Sequence, residues 1–193
     1  MKNCHQPNQA TDAELVRQTL QEPAIFSQIF NRYYSPLTRY IKRLGCYNND
    51  DVQDILQETF ISAYINLKDY DDNLKFSSWI YRIAHNKTIS FFRKEKIRPR
   101  VAKTEGEILF MEMVADDVDP VSDIDKKDLQ KKVRRALEKL DVKYRAPLIL
   151  KFLEEKSYSE ISDILRLPIG TVGTLINRGK QKFKDIFNKN NGE

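Results

Sequence analysis

Apolar residues return every three or four positions through most of this chain, and no stretch alternates in the way a half-buried strand would. Thr11-Asp12-Ala13-Glu14 reads as a capping box, in which the Thr hydroxyl and the Glu carboxylate satisfy each other's orphan amides, and it predicts a short helix through Leu20. A second helix is expected from near Pro23. Ile25, Phe26, Ile29, Phe30, Tyr33, Leu37, Tyr40, Ile41 and Leu44 give it one wide apolar face, with Pro36 expected to kink or divide it and Gly45 to end it. Asn48-Asn49 offers an N-cap for a helix from about Asp50 to Leu67, whose stripe is Val52, Ile55, Leu56, Phe60, Ala63 and Leu67; its other face is acidic and polar. Residues 68–75 (KDYDDNLK) have turn chemistry and no period, so a loop is predicted there. The helical period resumes from Phe76 to Lys96, with Ile80, Ile83, Ala84 and Phe91 inward.

Pro99 closes this block. Residues 101–128 contain Gly106 and Pro120, show no sustained stripe and read as a linker. Within it, Ile108, Leu109, Phe110, Met111 and Met113 form an apolar patch that either docks on a domain or partner or makes no more than a transient helical turn. Period returns with Leu129, Val133, Ala136, Leu137 and Leu140, then with Tyr144, Leu148 and Phe152. Ser157-Tyr158-Ser159-Glu160 is a second capping box, opening a short helix with Ile161 and Ile164 inward, and Leu167-Pro168 breaks it before a helix from about Pro168 to Phe187. That is helix-turn-helix spacing. The expected fold is all-α: two small helical domains joined by a flexible acidic linker. The expected division is an N-terminal extension and short helix at 1–22, a first domain at 23–100, the linker at 101–128 and a second domain at 129–193.

Composition narrows the class. The chain has 193 residues, 40% hydrophobic and 32% charged, with Gly only 6 and Pro 7, which excludes collagenous, low-complexity and wholly disordered chains. Nowhere do 18 apolar residues run together and the N-terminus has no apolar core, so neither a membrane span nor a signal peptide is expected and the location predicted is cytoplasmic. Cys4 and Cys46 with His5 and His85 do not make a set of four zinc ligands from Cys and His. No metal or other cofactor is expected, and Cys46 reads as a half-buried thiol. The net charge of +5 conceals blocks: residues 1–100 carry 15 basic and 11 acidic groups, residues 101–128 carry 3 and 9, and residues 129–193 carry 15 and 8. Two basic blocks flanking an acidic one suggest anionic partners, although excess Lys on a small domain is about as often only solvated.

The candidate chemistry lies on two helices. In the last one, Val172, Ile176, Gly179 and Phe183 take the inward stripe and leave Thr171, Thr174, Asn177, Arg178, Lys180 and Gln181 outside. These are side chains that read DNA from a major groove: Asn pairs with adenine, Arg with guanine, and Thr or Lys with phosphate. An ordinary helical hairpin with a polar outer face would show the same pattern. The helix from Phe76 interleaves Trp79 and Tyr81 with Arg82, Lys87, Arg93, Lys94, Lys96, Arg98 and Arg100. Aromatic rings stack on unpaired bases while cations hold the backbone, as in single-strand binders. A lone Trp at a helix start is equally well explained as core. No Gly-rich phosphate loop and no Ser/His/Asp group is present, so no enzymatic activity is expected.

Three motif pieces in one order resemble a known family. They are Asp51-x-x-Asp54-x-x-Gln57-Glu58-x-Phe60; Phe76-x-x-Trp79-Ile80-Tyr81-Arg82-Ile83-Ala84-His85-Asn86; and Ser157-Tyr158-Ser159-Glu160-Ile161 running into Leu167-Pro168-Ile169-Gly170-Thr171-Val172. The stretch from Phe26 to Arg98 resembles region 2 of bacterial RNA polymerase sigma factors of the extracytoplasmic-function (ECF) group, and that from Leu137 to Ile186 resembles their region 4. The resemblance covers about two-thirds of the chain.

It implies a sigma factor that binds core RNA polymerase and directs promoter-specific initiation. Asp51, Asp54, Gln57 and Glu58 match the surface that grips the polymerase clamp helices, where an acidic face meets basic side chains. Asn73, Leu74 and Lys75 would shape a pocket for a flipped base of the melted minus-10 element, with Trp79 beside it. Arg82, Lys87 and Arg93 would hold phosphates. Asn86 matches a position that contacts DNA near this element or serves helix packing. Thr171, Thr174, Leu175, Asn177, Arg178 and Lys180 would meet the minus-35 duplex. Many relatives carry Lys or Arg where Gly173 and Leu175 stand, so an exposed Leu175 is expected to meet a thymine methyl instead. An anti-sigma factor covering both domains is a further implied partner, the linker would run near the polymerase active-site channel, and no stable membrane insertion is implied. The rival reading is a stand-alone helix-turn-helix regulator of duplex DNA, which the region 2 motifs and the lack of sustained heptads oppose.

Overall fold

A computed structural model describes residues 10–97 and 132–189. The linker at 101–128 with its apolar patch, Leu129, Pro99, Arg98, Arg100, Cys4 and His5 lie outside the described residues. Among the described residues every regular element is helical: α1 (Asp12–Gln21), α2 (Phe26–Arg43), α3 (Asn49–Ile65), α4 (Phe76–Ile97), α5 (Val142–Phe152), α6 (Tyr158–Leu165) and α7 (Ile169–Lys189). Short 3-10 turns at Pro23–Ile25 and Leu67–Asp69 and a helical stretch at 132–138 complete them.

Local chemistry accounts for the boundaries. Both capping boxes form, Thr11 with Glu14 and Ser157 with Glu160. Asn48 caps α3 by accepting from the amides of Asp50 and Asp51. Gly45 follows α2 at φ 109, a conformation open to glycine, and a Cβ there would stand 2.7 Å from Nη1 of Arg145. Pro36 does not divide α2, which continues through it from Phe26 to Arg43. Ile29 and Tyr33 before the proline and Leu37, Tyr40 and Ile41 after it are all buried in one core, and that packing carries the helix past the lost amide. The loop at 68–75 also differs slightly, since its first residues continue the 3-10 turn that begins at Leu67.

The predicted stripe of α3 is buried throughout, and so are Ile80 and Ala84 of α4; Ile83 and Phe91 are half-buried against the same core. In the second domain Ala136, Leu140, Ile161, Ile164, Val172 and Ile176 are buried. Phe152 is not part of that stripe: it is 54% exposed, because α5 ends there and turns Ala146, Leu148, Ile149 and Leu150 inward instead. Cys46 is more enclosed than expected, 3% exposed, and burial pushes its thiol pKa up to about 12. The two domains are not separate bodies. α6 packs against α4, and one contiguous cluster of buried side chains runs through both.

Candidate functional site

The outer surface of α3 is set by what its buried stripe leaves behind. Asp54, Gln57 and Glu58 are exposed one helical turn apart, and Asp51 is half-buried at the start of the same edge. Ile61, Tyr64 and Ile65 continue outward at the far end of the helix, 50%, 46% and 64% exposed, so the polar edge runs into an apolar one. α4 packs beside α3, and there Glu58 pairs with Lys87 at 3.2 Å. A carboxylate expected to meet polymerase and a cation expected to meet DNA are therefore neighbours.

The loop before α4 is held by its own side chains. Asp71 Oδ1 accepts from the Asn73 amide at 3.0 Å and from Asn73 Nδ2 at 2.8 Å, and the Tyr70 hydroxyl donates to the Leu74 carbonyl. Asn73 and Lys75 are exposed and Leu74 is half-buried. Trp79 is only 8% exposed, with its ring 5.5 Å from Tyr70 and 5.4 Å from Phe76. Its face is spent on packing, so the core reading replaces base stacking for this residue. Along α4, Asn86 and Arg93 are exposed and Lys87 is half-buried. Arg82 is half-buried; burial lowers its pKa, Arg166 acts in the same sense and Asp163 opposes both. His85 receives or gives a hydrogen bond with the Tyr40 hydroxyl at 2.9 Å, and burial brings its pKa down to about 4, so it is neutral near pH 7.

On α7, Thr171, Thr174, Asn177, Arg178 and Lys180 are exposed along one side. Thr174 donates to the Gly170 carbonyl at 3.0 Å, a local bond that a groove contact would have to replace or share. Lys180 lies 5.9 Å from the Phe152 ring centroid. Leu175 is a departure: it is half-buried and lines a cleft of about 1140 Å³ between the two domains, together with His85, Phe92 and Arg93 of α4 and Leu140 and Arg145 beyond the linker.

Several residues at that contact carry no signal in the sequence. Arg145 donates to the carbonyls of Leu44 at 2.8 Å, Glu138 at 2.6 Å and Leu140 at 2.7 Å, so one guanidinium ties the first domain to the second. Glu154, in the loop after α5, accepts from Arg43 at 2.6 Å and from the Tyr81 hydroxyl at 2.7 Å. Burial and then the Glu154 carboxylate push the Tyr81 phenol well above its ordinary pKa. Lys75, from the candidate pocket, pairs with Glu160 at 3.3 Å. Burial works against the Glu160 charge, but hydrogen bonds from Ser157 and the Lys75 ammonium outweigh it and lower its pKa. Among the described residues no helix is long and apolar enough to cross a membrane, and no group of three His, Cys, Asp or Glu side chains is placed to hold a metal ion.

Comparison with known proteins gives these surfaces a context. Residues 29–97 match the family model for Sigma-70 region 2, and residues 130–183 match that for Sigma-70, region 4. The chain is 41% identical over 141 residues to the ECF RNA polymerase sigma factor SigW of Bacillus subtilis, a span that covers 71% of this chain and 75% of the relative. It is 28% identical over 186 residues to the ECF RNA polymerase sigma-E factor of Haemophilus influenzae, covering 92% of this chain and 95% of that one. Among solved structures, CnrH in complex with the cytosolic domain of CnrY superposes with a TM-score of 0.67 at 23% identity, over 91% of this chain and 96% of that one. The sigma factor RpoE from Bartonella quintana, in complex with the anti-sigma factor NepR, gives 0.62 at 18% identity over 84% and 96%. These structures share the arrangement of helices, and the two matched regions fall on the two helical sets described above, in the order region 2 then region 4. The chain belongs to the ECF RNA polymerase sigma factors.

Proposed function

We propose that this sigma factor divides initiation between three surfaces: the outer edge of α3 holds core polymerase, the loop at 73–75 with α4 captures and melts the minus-10 element, and the exposed side of α7 reads the minus-35 duplex. The observation that carries the reading is the sorting of charge after burial. α3 keeps Asp54, Gln57 and Glu58 outside, whereas α4 and α7 expose Arg93, Arg178 and Lys180. An acidic edge suits a basic protein partner and basic edges suit phosphate. Arg82 and Lys87 join the phosphate contacts once their present carboxylate neighbours are displaced. Asn73 and Leu74 shape the pocket for a flipped base, whose capture offsets a few kcal/mol of unstacking.

On this reading the factor does no chemistry of its own, and phosphodiester synthesis belongs to the polymerase. It works in the cytoplasm, without cofactor or metal, and takes an anti-sigma factor as inhibitor. The solved relatives named above include a sigma factor bound to an anti-sigma factor, which supports that last partner.

Charge reversal at Asp54 and Glu58 tests the polymerase edge. Both side chains are exposed opposite the buried stripe, so the double variant should keep its helical circular dichroism while losing co-purification with core polymerase. Undiminished co-purification would remove this edge from the interface.

A further inference from the structure

The loop that leads into α4 is braced from two sides. The Leu74 amide donates to the Asp71 carbonyl at 3.1 Å, closing a turn over residues 71–74, and the Asp71 carboxylate supports it by accepting from the Asn73 amide and from Asn73 Nδ2. On the other side the Tyr70 hydroxyl donates to the Leu74 carbonyl, while its ring stands edge-on to Phe76 at 5.3 Å and lies 5.5 Å from Trp79. Burial first, then Asp12, Asp72 and Asp71, raise the Tyr70 pKa, so the phenol keeps its proton and remains a donor. The turn is thereby tied to the buried rings at the start of α4, although Asp71, Asp72, Asn73 and Lys75 are exposed.

One of these bonds fixes the direction of the Asn73 amide. A carboxylate accepts hydrogen bonds and has none to give, so the group that faces Asp71 Oδ1 at 2.8 Å is the amide nitrogen. Oδ1 of Asn73 is left as the atom that this exposed side chain offers to a ligand. Its neighbours compete little for that role: Leu74 is apolar and half-buried, the Tyr70 proton goes to a carbonyl, and the Lys75 ammonium pairs with Glu160. Adenine and cytosine carry an exocyclic amine where guanine and thymine carry a carbonyl. An acceptor at the loop tip hydrogen-bonds the first two and meets the other two oxygen to oxygen. Asp71 and Asp72 add negative charge that keeps phosphates from the same spot.

We propose that Asp71 and the Tyr70 hydroxyl are positioning residues for base capture: the carboxylate turns the Asn73 oxygen outward, the phenol holds the turn that carries it, and the loop thereby selects an amino base, adenine or cytosine, at the captured position. Base selection of this kind rests on the reading of residues 73–75 as a pocket for a flipped base. Neither positioning residue touches the base. Both act through Asn73 and the Leu74 backbone, whose fixed direction spares capture the cost of ordering them.

The test is transcription by the full chain with core polymerase, on a promoter first selected from genomic fragments. Templates are pre-melted across the downstream element, and each non-template position is set in turn to all four bases. Pre-melting keeps the cost of opening out of the comparison. The wild type should favour adenine and cytosine over guanine and thymine by about tenfold at one position. Asp71→Ala should bring that ratio to within about twofold while leaving helicity and co-purification with core polymerase as they are. Asp71→Asn, whose side-chain oxygen can still accept from Asn73 Nδ2, should keep most of the preference. Tyr70→Phe retains the ring and loses only the hydroxyl, and should lower the ratio about two- to threefold. Replacing the preferred base by its analogue without the amine, 2-pyrimidinone for cytosine or purine for adenine, should cost the wild type about tenfold and Asp71→Ala little, a difference that a loosened loop alone would not produce. A wild type with no amino preference, or Asp71→Ala that retains it, would overturn the assignment of Asp71. Tyr70→Phe with the full ratio would overturn that of the hydroxyl. Failure of the pocket reading would show separately, as Asn73→Ala with selection unchanged at every position.

Discussion

Asn177, Arg178 and Lys180 stand exposed within one turn of α7, yet their chemistry divides them. Asn and Arg present fixed bidentate patterns that distinguish bases, whereas the Lys ammonium is a point charge suited to phosphate. Replacing Asn177 and Arg178 by Ala should therefore relax selection at particular base pairs of the upstream element, at roughly 1–3 kcal/mol for each bidentate hydrogen-bond pair removed. Lys180→Ala should instead weaken binding evenly across sequences and reduce its salt slope by about one. Base-by-base selection profiles at two salt concentrations separate these outcomes, and an unchanged profile in the double variant would refute the assignment of α7. Residues of this kind are readable in a sequence because exposure on a helix follows from the position of its apolar stripe. Leu175 is not readable in the same way, since it lines a cleft with residues of α4 across the domain seam, whereas the rings of Tyr70 and Phe76 beside Trp79 lie close to it in sequence.

At the scale of elements, the last helix contrasts two glycines. A Cβ on Gly173 would meet the Tyr158 ring at 3.8 Å, an ordinary van der Waals distance, whereas one on Gly179 would stand 3.2 Å from Leu148 and 3.3 Å from the backbone carbonyl of Tyr144. Gly173→Ala should accordingly stabilise the protein by up to about 1 kcal/mol through helix propensity. Gly179→Ala should lose that gain or reverse it, because a carbonyl in α5 cannot move aside as a flexible side chain does. Thermal unfolding of the two variants checks the contrast, and an equal gain in both would show that α5 and α7 can spread. Most elements follow from local pattern: two capping boxes, an Asn cap and a terminating Gly give their boundaries within a residue or two. Pro36 does not, because an interior proline weakens a helix locally while the core residues on both sides of it hold the axis together.

Across the whole molecule, polymerase binding and promoter melting are separate steps carried on adjoining helices, α3 and α4. A pre-opened bubble removes the cost of unstacking in advance, so it should rescue transcription by Arg82→Ala or Lys87→Ala far more than by Asp54→Lys, whose defect lies in holding polymerase. Permanganate footprinting on duplex and pre-melted promoters would measure this, and equal rescue of the two classes would remove the division. The Glu58–Lys87 pair at 3.2 Å adds a detail to it. Both partners are substantially solvent-exposed, at 57% and 33%, so the pair is worth little in itself, and either partner can leave it for polymerase or phosphate.

Helix periodicity, capping and the order of three motifs determined the fold class, the family and the outward face of α3 and α7, because each depends on residues within a few turns of one another. Tertiary structure decided the rest. It withdrew Phe152 from the stripe, lined a cleft with Leu175 and brought Glu154 to Arg43 across 111 residues of chain. No periodicity marks Glu154, since it lies in a loop and its role comes from a chain reversal at Glu155 and a phenol on another helix. Contacts between distant segments depend on which surfaces meet, and that is settled only when both domains bury their remaining apolar and charged groups against each other.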